Sequence, residues 1–255
     1  DGIRDLVRSR GLGDVYKRQV ENSAEIRKFP PEHRPYTVTA DDFIGHLDWM
    51  EESSWRFVTP DDVISGAAAG ENAVLLTFDD SWKNNFASRE LAARGICGLF
   101  FLNSDDVGGE LMVIADEVGA MVQGGHEIGS HGRRHDFLTL LSDAELADSL
   151  SQSKAALESL TGKAVRTASA PGGRYNRRVS AAAADAGYEA FFTSKPGELK
   201  CGPDRPFVLN RIAVTADINV ERFQRLVRRA WVPCLWRAAR YKLASAIRPI
   251  TERRR

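Results

Sequence analysis

Seven short runs of apolar and β-branched residues limit the fold of this chain more than any other feature. They lie at Arg56–Thr59, Ala73–Phe78, Cys97–Leu102, Glu127–His131, Thr167–Ala170, Glu189–Ser194 and Arg211–Val214. Helical patterns fill most of the intervals. Ser142–Leu160 is the clearest, with Ser142 and Glu145 spaced as a capping box and Leu146, Leu150, Leu157 and Leu160 marking a buried stripe. Thr39 caps another helix through Glu51, which carries Phe43, Leu47 and Met50 on one side; a third runs Asn176–Ala186 and stops at Gly187. Strands that are hydrophobic almost throughout, joined by helices, belong to a parallel sheet covered on both faces. The polar residues then favour one architecture. Two acids end one run, a histidine ends another, and Pro171-Gly-Gly-Arg-Tyr175 follows a third. A (β/α) barrel gathers its chemistry at strand ends in this way, so an α/β fold of the barrel type with about seven strands is expected.

The chain has 255 residues, 43% of them hydrophobic, enough for one large core. Its zero net charge hides an uneven distribution. Val20–Val220 holds 19 basic against 30 acidic residues, whereas Glu221–Arg255 holds 11 basic and 2 acidic. Cys97, Cys201 and Cys234 are odd in number and lack a CxxC spacing, which argues against a disulfide framework or a thiolate metal site. Asp14-Val-Tyr-Lys-Arg-Gln19 matches the translation of a transposase-adapter end used in sequencing libraries. Residues 1–19 are therefore expected to be read-through, with the native N-terminus missing. The partition expected is read-through over 1–19, one barrel domain over 20–230 and a basic amphipathic tail over 231–255.

Four Asp-Asp pairs occur. Asp41-Asp42 follows Thr39, and Asp61-Asp62 follows Thr59-Pro60, so both read as first-turn acids that complement a helix dipole. Asp105-Asp106 lies in a Gly-flanked loop and reads as solvated. Only Asp79-Asp80 closes an apolar strand, where two crowded carboxylates are costly unless a cation or a shared proton relieves them. About fifty residues on, Gly125-His-Glu-Ile-Gly-Ser-His131 ends the next such run but one, and His135 follows. One carboxylate and two imidazoles can hold a divalent metal with positions left open, and a second carboxylate can act as general base. The pair His126-Glu127 does not make an HExxH zinc site, because the next histidine is five residues on and Gly129 intervenes. His126 is expected to be structural.

Together these elements resemble the polysaccharide deacetylase family, the NodB-homology domain of carbohydrate esterase family four. Leu76-Thr-Phe-Asp-Asp80 looks like its first motif and Gly125-His-Glu-Ile-Gly-Ser-His-Gly-Arg-Arg-His135 like its second. The resemblance runs from about Tyr36 to Arg229. It implies a deformed (β/α) barrel whose first strand normally precedes the region of the adapter-like segment, so that strand is expected to be lost. It also implies that Asp80, His131 and His135 bind one divalent metal, zinc in the usual case with cobalt or manganese as alternatives. Asp79 would then take the proton of the attacking water, and backbone amides near Tyr175 would complete an oxyanion hole. The substrate implied is an N-acetylated glycan, which loses acetate and keeps a free amine.

Two positions depart from the family pattern. Its third motif carries an arginine two residues before the proline to orient the base; here that residue is Ser169, and Arg174 is the expected substitute. Its fifth motif offers a histidine as general acid, and Leu209-Asn-Arg-Ile-Ala-Val214 has none. These departures motivate one alternative, a glycan-binding domain that retains the metal but not turnover; a C–N hydrolase acting on a non-sugar amide is a nearer one. An iron oxygenase site is also two histidines and one carboxylate, but the adjacent Asp79, the α/β pattern and the family-like context weigh against it. Trp231, Trp236, Tyr241 and Ile247 alternate with basic residues in the tail, a pattern that suits either a closing helix or peripheral contact with an anionic membrane. No nucleic-acid-reading motif is present, so no nucleic-acid partner is expected. With the native N-terminus in question, localisation is left open between the envelope and the cytoplasm of a bacterium.

Overall fold

The computed structural model describes residues 11–16, 18–20, 34–68, 72–83, 85–197, 199–202 and 204–228. The basic tail expected over 231–255 lies outside the described residues, as do residues 1–10 and Lys17.

Strands β1 (Gly11–Tyr16), β4 (Arg56–Phe57), β5 (Ala73–Phe78), β6 (Gly98–Leu102), β7 (Glu127–Ser130), β8 (Thr167–Ser169), β9 (Ala190–Phe192), β10 (Val208–Leu209) and β11 (Ile212–Ala213) form one sheet. Its order is β10-β9-β8-β7-β6-β5-β1-β11, with β4 also pairing β5, and every pair is parallel. A second, two-stranded sheet pairs β2 (Arg18–Val20) with β3 (Thr37–Thr39). The two ends of the large sheet, β10 and β11, are consecutive in sequence and separated only by Asn210 and Arg211. One extended stretch therefore runs beside β9 with its first half and beside β1 with its second, and curls the sheet into the deformed (β/α) barrel expected.

The strand pleat sorts side chains between inside and outside. In β5, Val74, Leu76 and Phe78 join the larger hydrophobic cluster, which also takes the buried faces of the helices. Ala73 and Leu75 join a smaller cluster with Leu99, Phe101, Ala190, Phe192 and Leu209, which fills the barrel interior. Continuing each inner register towards the strand's C-terminal end gives Thr77 and Asp79 on β5, Gly129 and His131 on β7, Ser169 on β8 and Arg211 after β10. Gly129 is required there: a Cβ would come within 2.5 Å of the Phe101 ring, which crosses the interior.

The helices begin and end where their caps dictate. Thr39 accepts a hydrogen bond from the Asp42 amide at the start of α1 (Ala40–Glu52). Thr59 and Asp62 form a capping box on α2 (Pro60–Ser65), so both acidic pairs assigned to first turns sit in first turns. After α3 (Asn85–Ala93) and α4 (Ala115–Gln123), the long α5 (Asp143–Thr161) starts at the Ser142–Glu145 box and ends at Gly162 with φ of 66°. Helix α6 (Arg177–Asp185) is capped by Asn176, and α7 (Val220–Arg228) packs on α1 by stacking Phe223 on the His46 ring at 4.2 Å.

The place of the first strand is occupied: Gly11–Tyr16 lies between β5 and β11. Without it both neighbours would carry unpaired backbone, and a segment ending in Val15-Tyr16 has the β-forming, half-aromatic character such a slot selects. Tyr16 is fully buried, stacked on Phe78 and edge-on to Phe43, and its carbonyl accepts the amide of Asp79 at 3.0 Å. The adapter-like segment thus contributes to the wall that carries the acidic pair.

Candidate metal centre

At the C-terminal end of β5 the chain makes an abrupt turn. Asp79 continues the inner register and is buried, at 2% exposure. Asp80 has φ of 64°, a left-handed conformation that aspartate tolerates better than most residues but still at some strain. That torsion turns its carboxylate away from the alternation of the strand and onto the mouth of the barrel, where it meets the loop after β7. Adjacent acids therefore face two different environments.

His131 follows Ser130 at the end of β7, and Gly132, with φ of 81°, bends the chain so that His135 returns above it on a loop, not on a helix. The loop is stitched to its neighbours. Asn103 donates its side-chain amide to the His131 carbonyl at 2.7 Å, Ser153 donates to the Gly132 carbonyl at 3.0 Å, and the Ser104 amide reaches the same carbonyl at 3.2 Å. Asp105, expected to be solvated, bridges Arg133 and Arg134 between the two histidines.

Asp80, His131 and His135 converge. Asp80 Oδ1 lies 3.4 Å from His131 Nε2 and 3.2 Å from His135 Nε2, and all three ligand atoms fall within 4.8 Å of one another. Ligands bound tetrahedrally to one cation at about 2.0–2.1 Å stand about 3.3 Å apart, so the spacing fits a shared ion. His131 Nε2 is fully buried and makes no hydrogen bond. A polar atom in that state costs free energy unless something else coordinates it. Burial holds the His131 ring below the usual histidine pKa, against the opposing pull of the Asp79 and Asp80 carboxylates. A neutral imidazole is the form that offers a lone pair to a metal. His135 and Asp80 are partly exposed, so the centre opens to solvent on one side.

Asp79 is not part of this cluster. Both its carboxylate oxygens are gripped by Arg211, with Nη1 at 2.8 Å from Oδ1 and Nη2 at 2.8 Å from Oδ2. Arg211 is itself fully buried; it donates to the Thr193 carbonyl at 3.0 Å and to Thr77 at 3.1 Å, and lies over the Phe101 and Phe192 rings. The guanidinium partner of Asp79 thus comes from the stretch that closes the barrel. Arg174, the substitute expected from the sequence, instead lays its guanidinium 3.7 Å from the centre of the Phe137 ring. A lone arginine inside an apolar run such as Leu209–Val214 was the available signal, since arginine is almost never fully buried unless it is paired.

The loop after β8 stands beside the histidine loop. Its turn Pro171–Gly173 takes positive φ at Gly172 and Gly173, and a Cβ on Gly173 would meet Ser194 at 2.5 Å. Tyr175 follows, partly buried against the main core. Among the described residues, two further histidines are committed elsewhere. His126 accepts from the Gly98 amide at 3.1 Å and faces the Ser88 carbonyl at 2.7 Å, in the structural role expected of it, and His46 is buried beside Tyr16 and Phe223.

Comparison with known proteins places this geometry in context. The family model described as Polysaccharide deacetylase matches residues 66–191, which include both acids and both histidines. Among solved structures, a polysaccharide deacetylase from Bacillus cereus is 20% identical with a TM-score of 0.75, covering 86% of this chain and 69% of its own. The deacetylase PplD of Streptococcus pyogenes, solved in complex with acetate, is 21% identical at a TM-score of 0.76, covering 86% and 98%. IcaB from Ammonifex degensii is 21% identical at 0.70, covering 90% and 97%. At these identities the likeness is one of fold. No curated protein sequence matches the chain.

Proposed function

We propose, from the premise that the chain belongs to the polysaccharide deacetylase family, that it hydrolyses the acetamide of N-acetylated amino sugars in a polysaccharide. The observation that carries this reading is the pairing of two sites: a three-ligand cluster with the spacing of a shared cation, and beside it a buried carboxylate clamped by Arg211. A divalent metal held by Asp80, His131 and His135, most simply zinc with cobalt or manganese as substitutes, would polarise the amide carbonyl and make an attacking water more acidic.

The chain's own groups account for the remaining steps. Asp79 accepts the proton of the water. Each of its oxygens keeps a further lone pair beyond the one given to Arg211, so the clamp orients the carboxylate without blocking it. Backbone amides around Tyr175 donate to the oxygen that gains charge as the carbonyl carbon becomes tetrahedral. When the C–N bond breaks, the electron pair leaves with the amine, which takes a proton, and acetate is the second product. No histidine stands in Leu209–Val214 to supply that proton, so Asp79 returns the one it took. General acid help is worth about 10²- to 10⁴-fold, and here one carboxylate has to serve first as base and then as acid.

The same missing histidine favours a second reading, a glycan-binding domain that keeps its metal and has lost turnover. Acetate release from a panel of N-acetylated glycans, measured with added zinc, cobalt or manganese, separates the two. The hydrolase reading expects release that Asp79→Asn abolishes while metal content is unchanged. Bound metal with no acetate from any substrate would establish the binding domain. Release from a non-sugar acetamide alone would shift the substrate class, and a requirement for oxygen and a 2-oxo acid would replace the reaction class altogether. We also hold to the reading of residues 1–19 as adapter read-through; the reading frame in the source genome tests it.

A further inference from the structure

Ser169 ends the inner register of β8 and is fully buried. Its hydroxyl lies 2.5 Å from Nδ1 of His131, a short hydrogen bond between strands β8 and β7. The other ring nitrogen, Nε2, is the buried atom without a hydrogen bond that points at Asp80. The two nitrogens of a neutral imidazole are complementary, since one carries the proton when the other offers its lone pair. Nε2 can hold a cation only if Nδ1 carries the proton, and then Ser169 Oγ must accept. With no cation present, the ring is free to place its proton on Nε2 towards Asp80 Oδ1, and Ser169 must then donate to Nδ1. A carboxylate or a backbone carbonyl at this position could only accept. A hydroxyl can do either by rotating its hydrogen, with no movement of heavy atoms.

We propose that Ser169 is a positioning residue for His131 that holds the imidazole in one orientation in both the metal-free and the metal-loaded protein. The inference rests on the reading of Asp80, His131 and His135 as a cation site. Ser169 acts through His131 and has no contact with substrate to make. Its position is firmly braced. The Ala168–Phe191 and Ser169–Phe192 register ties β8 to β9, and Gly129, one pleat before His131, leaves the space in which Thr167 and the Phe101 ring meet. The ring is thereby set before any cation arrives, and loading requires only a change of tautomer.

The test is metal affinity measured without reference to turnover. Metal-free wild type, Ser169→Ala and Ser169→Thr are titrated with zinc against a chromophoric chelator, and ¹⁵N-histidine spectra of the wild type are recorded before and after loading. Loss of an outer partner of a ligating histidine weakens binding by roughly 10- to 100-fold, the effect expected for Ser169→Ala. The threonine variant keeps a hydroxyl and should bind within a few-fold of wild type. Ser169→Ala leaves the buried Nδ1 without its partner and should also melt below wild type when metal-free, whereas the threonine variant should keep both stability and affinity; a role limited to packing would lower the melting temperature without changing zinc affinity. The spectra should show the proton of His131 on Nδ1 in the loaded protein. Equal zinc affinity in wild type and Ser169→Ala overturns the inference, as does equal weakening by alanine and threonine, because the hydroxyl would then not matter. If the wild type itself binds no zinc, the cation-site reading falls and this inference falls with it.

Discussion

Arg211 and Asp79 are 132 residues apart in sequence, yet they meet inside the barrel as a two-pronged ion pair in which neither side chain is more than 2% exposed. A pair this deeply buried is held together as much by the cost of separating it as by its own attraction.

Removal of one partner should therefore be worse than removal of both. Arg211→Met takes the guanidinium from a buried carboxylate and should destabilise the fold by about 3–5 kcal/mol. Asp79→Asn/Arg211→Met should recover much of that loss while remaining inactive. Arg211→Lys keeps the charge but loses the fork, and should fold with its activity down by about 10²-fold or more. Chemical denaturation of the four proteins, read beside acetate release, checks the set; a double variant no more stable than Arg211→Met would refute the coupling.

Chelation should abolish acetate release, and addition of zinc, cobalt or manganese should restore it. Because a ligand that binds only the folded state stabilises it, zinc at a hundredfold excess over its dissociation constant should add about 2.7 kcal/mol. Asp80→Ala and His135→Ala should lose that increment along with activity. A melting curve with and without zinc is sufficient to measure it.

Gly129→Ala places a methyl 2.5 Å from the Phe101 ring, on whose face Arg211 lies. Overpacking of this kind costs about 1–3 kcal/mol. The displaced ring should also disturb the clamp on Asp79, so activity should fall by more than the lost stability explains. Gly119 provides the control, since a Cβ there meets nothing within 4 Å.

Glu127 lies at the opposite end of β7 from His131. Burial, reinforced by the negative charge of Asp61, pushes its carboxyl up to about 7. The folded protein thus favours the protonated acid more than the unfolded chain does. Its contribution to stability is complete below the ordinary glutamate range and is lost as pH rises through about 7. Glu127→Gln should melt like wild type in mild acid and higher than wild type at about pH 8.5. A variant that melts lower than wild type at alkaline pH would refute the assignment.

The parts of the site that could be read from the sequence are those whose signal is local. Asp79-Asp80 and His131 stand at the ends of recognisable strands, and the Ser142–Glu145 box and the Thr39 cap mark helix starts within four residues of chain. Arg211 and Ser169 were not legible as partners of Asp79 and His131, because pleat parity and sheet closure bring them together and neither is written in neighbouring residues. Arg174 is near the third motif in sequence, whereas the guanidinium on Asp79 comes from a distant strand. The occupant of the first strand's place is likewise decided by the sheet and not by neighbouring residues. The origin of a segment says little about whether an open position in a sheet will accept it, and Gly11–Tyr16 meets the few requirements that position makes.

The stretch from Val208 to Ala213 changes partner midway, from β9 to β1, at the residue that clamps Asp79. The closure of the sheet and the ion pair on Asp79 in consequence depend on the same stretch of chain. A change that shifts the register of this stretch should therefore be felt at Asp79 as well as along the seam of the sheet.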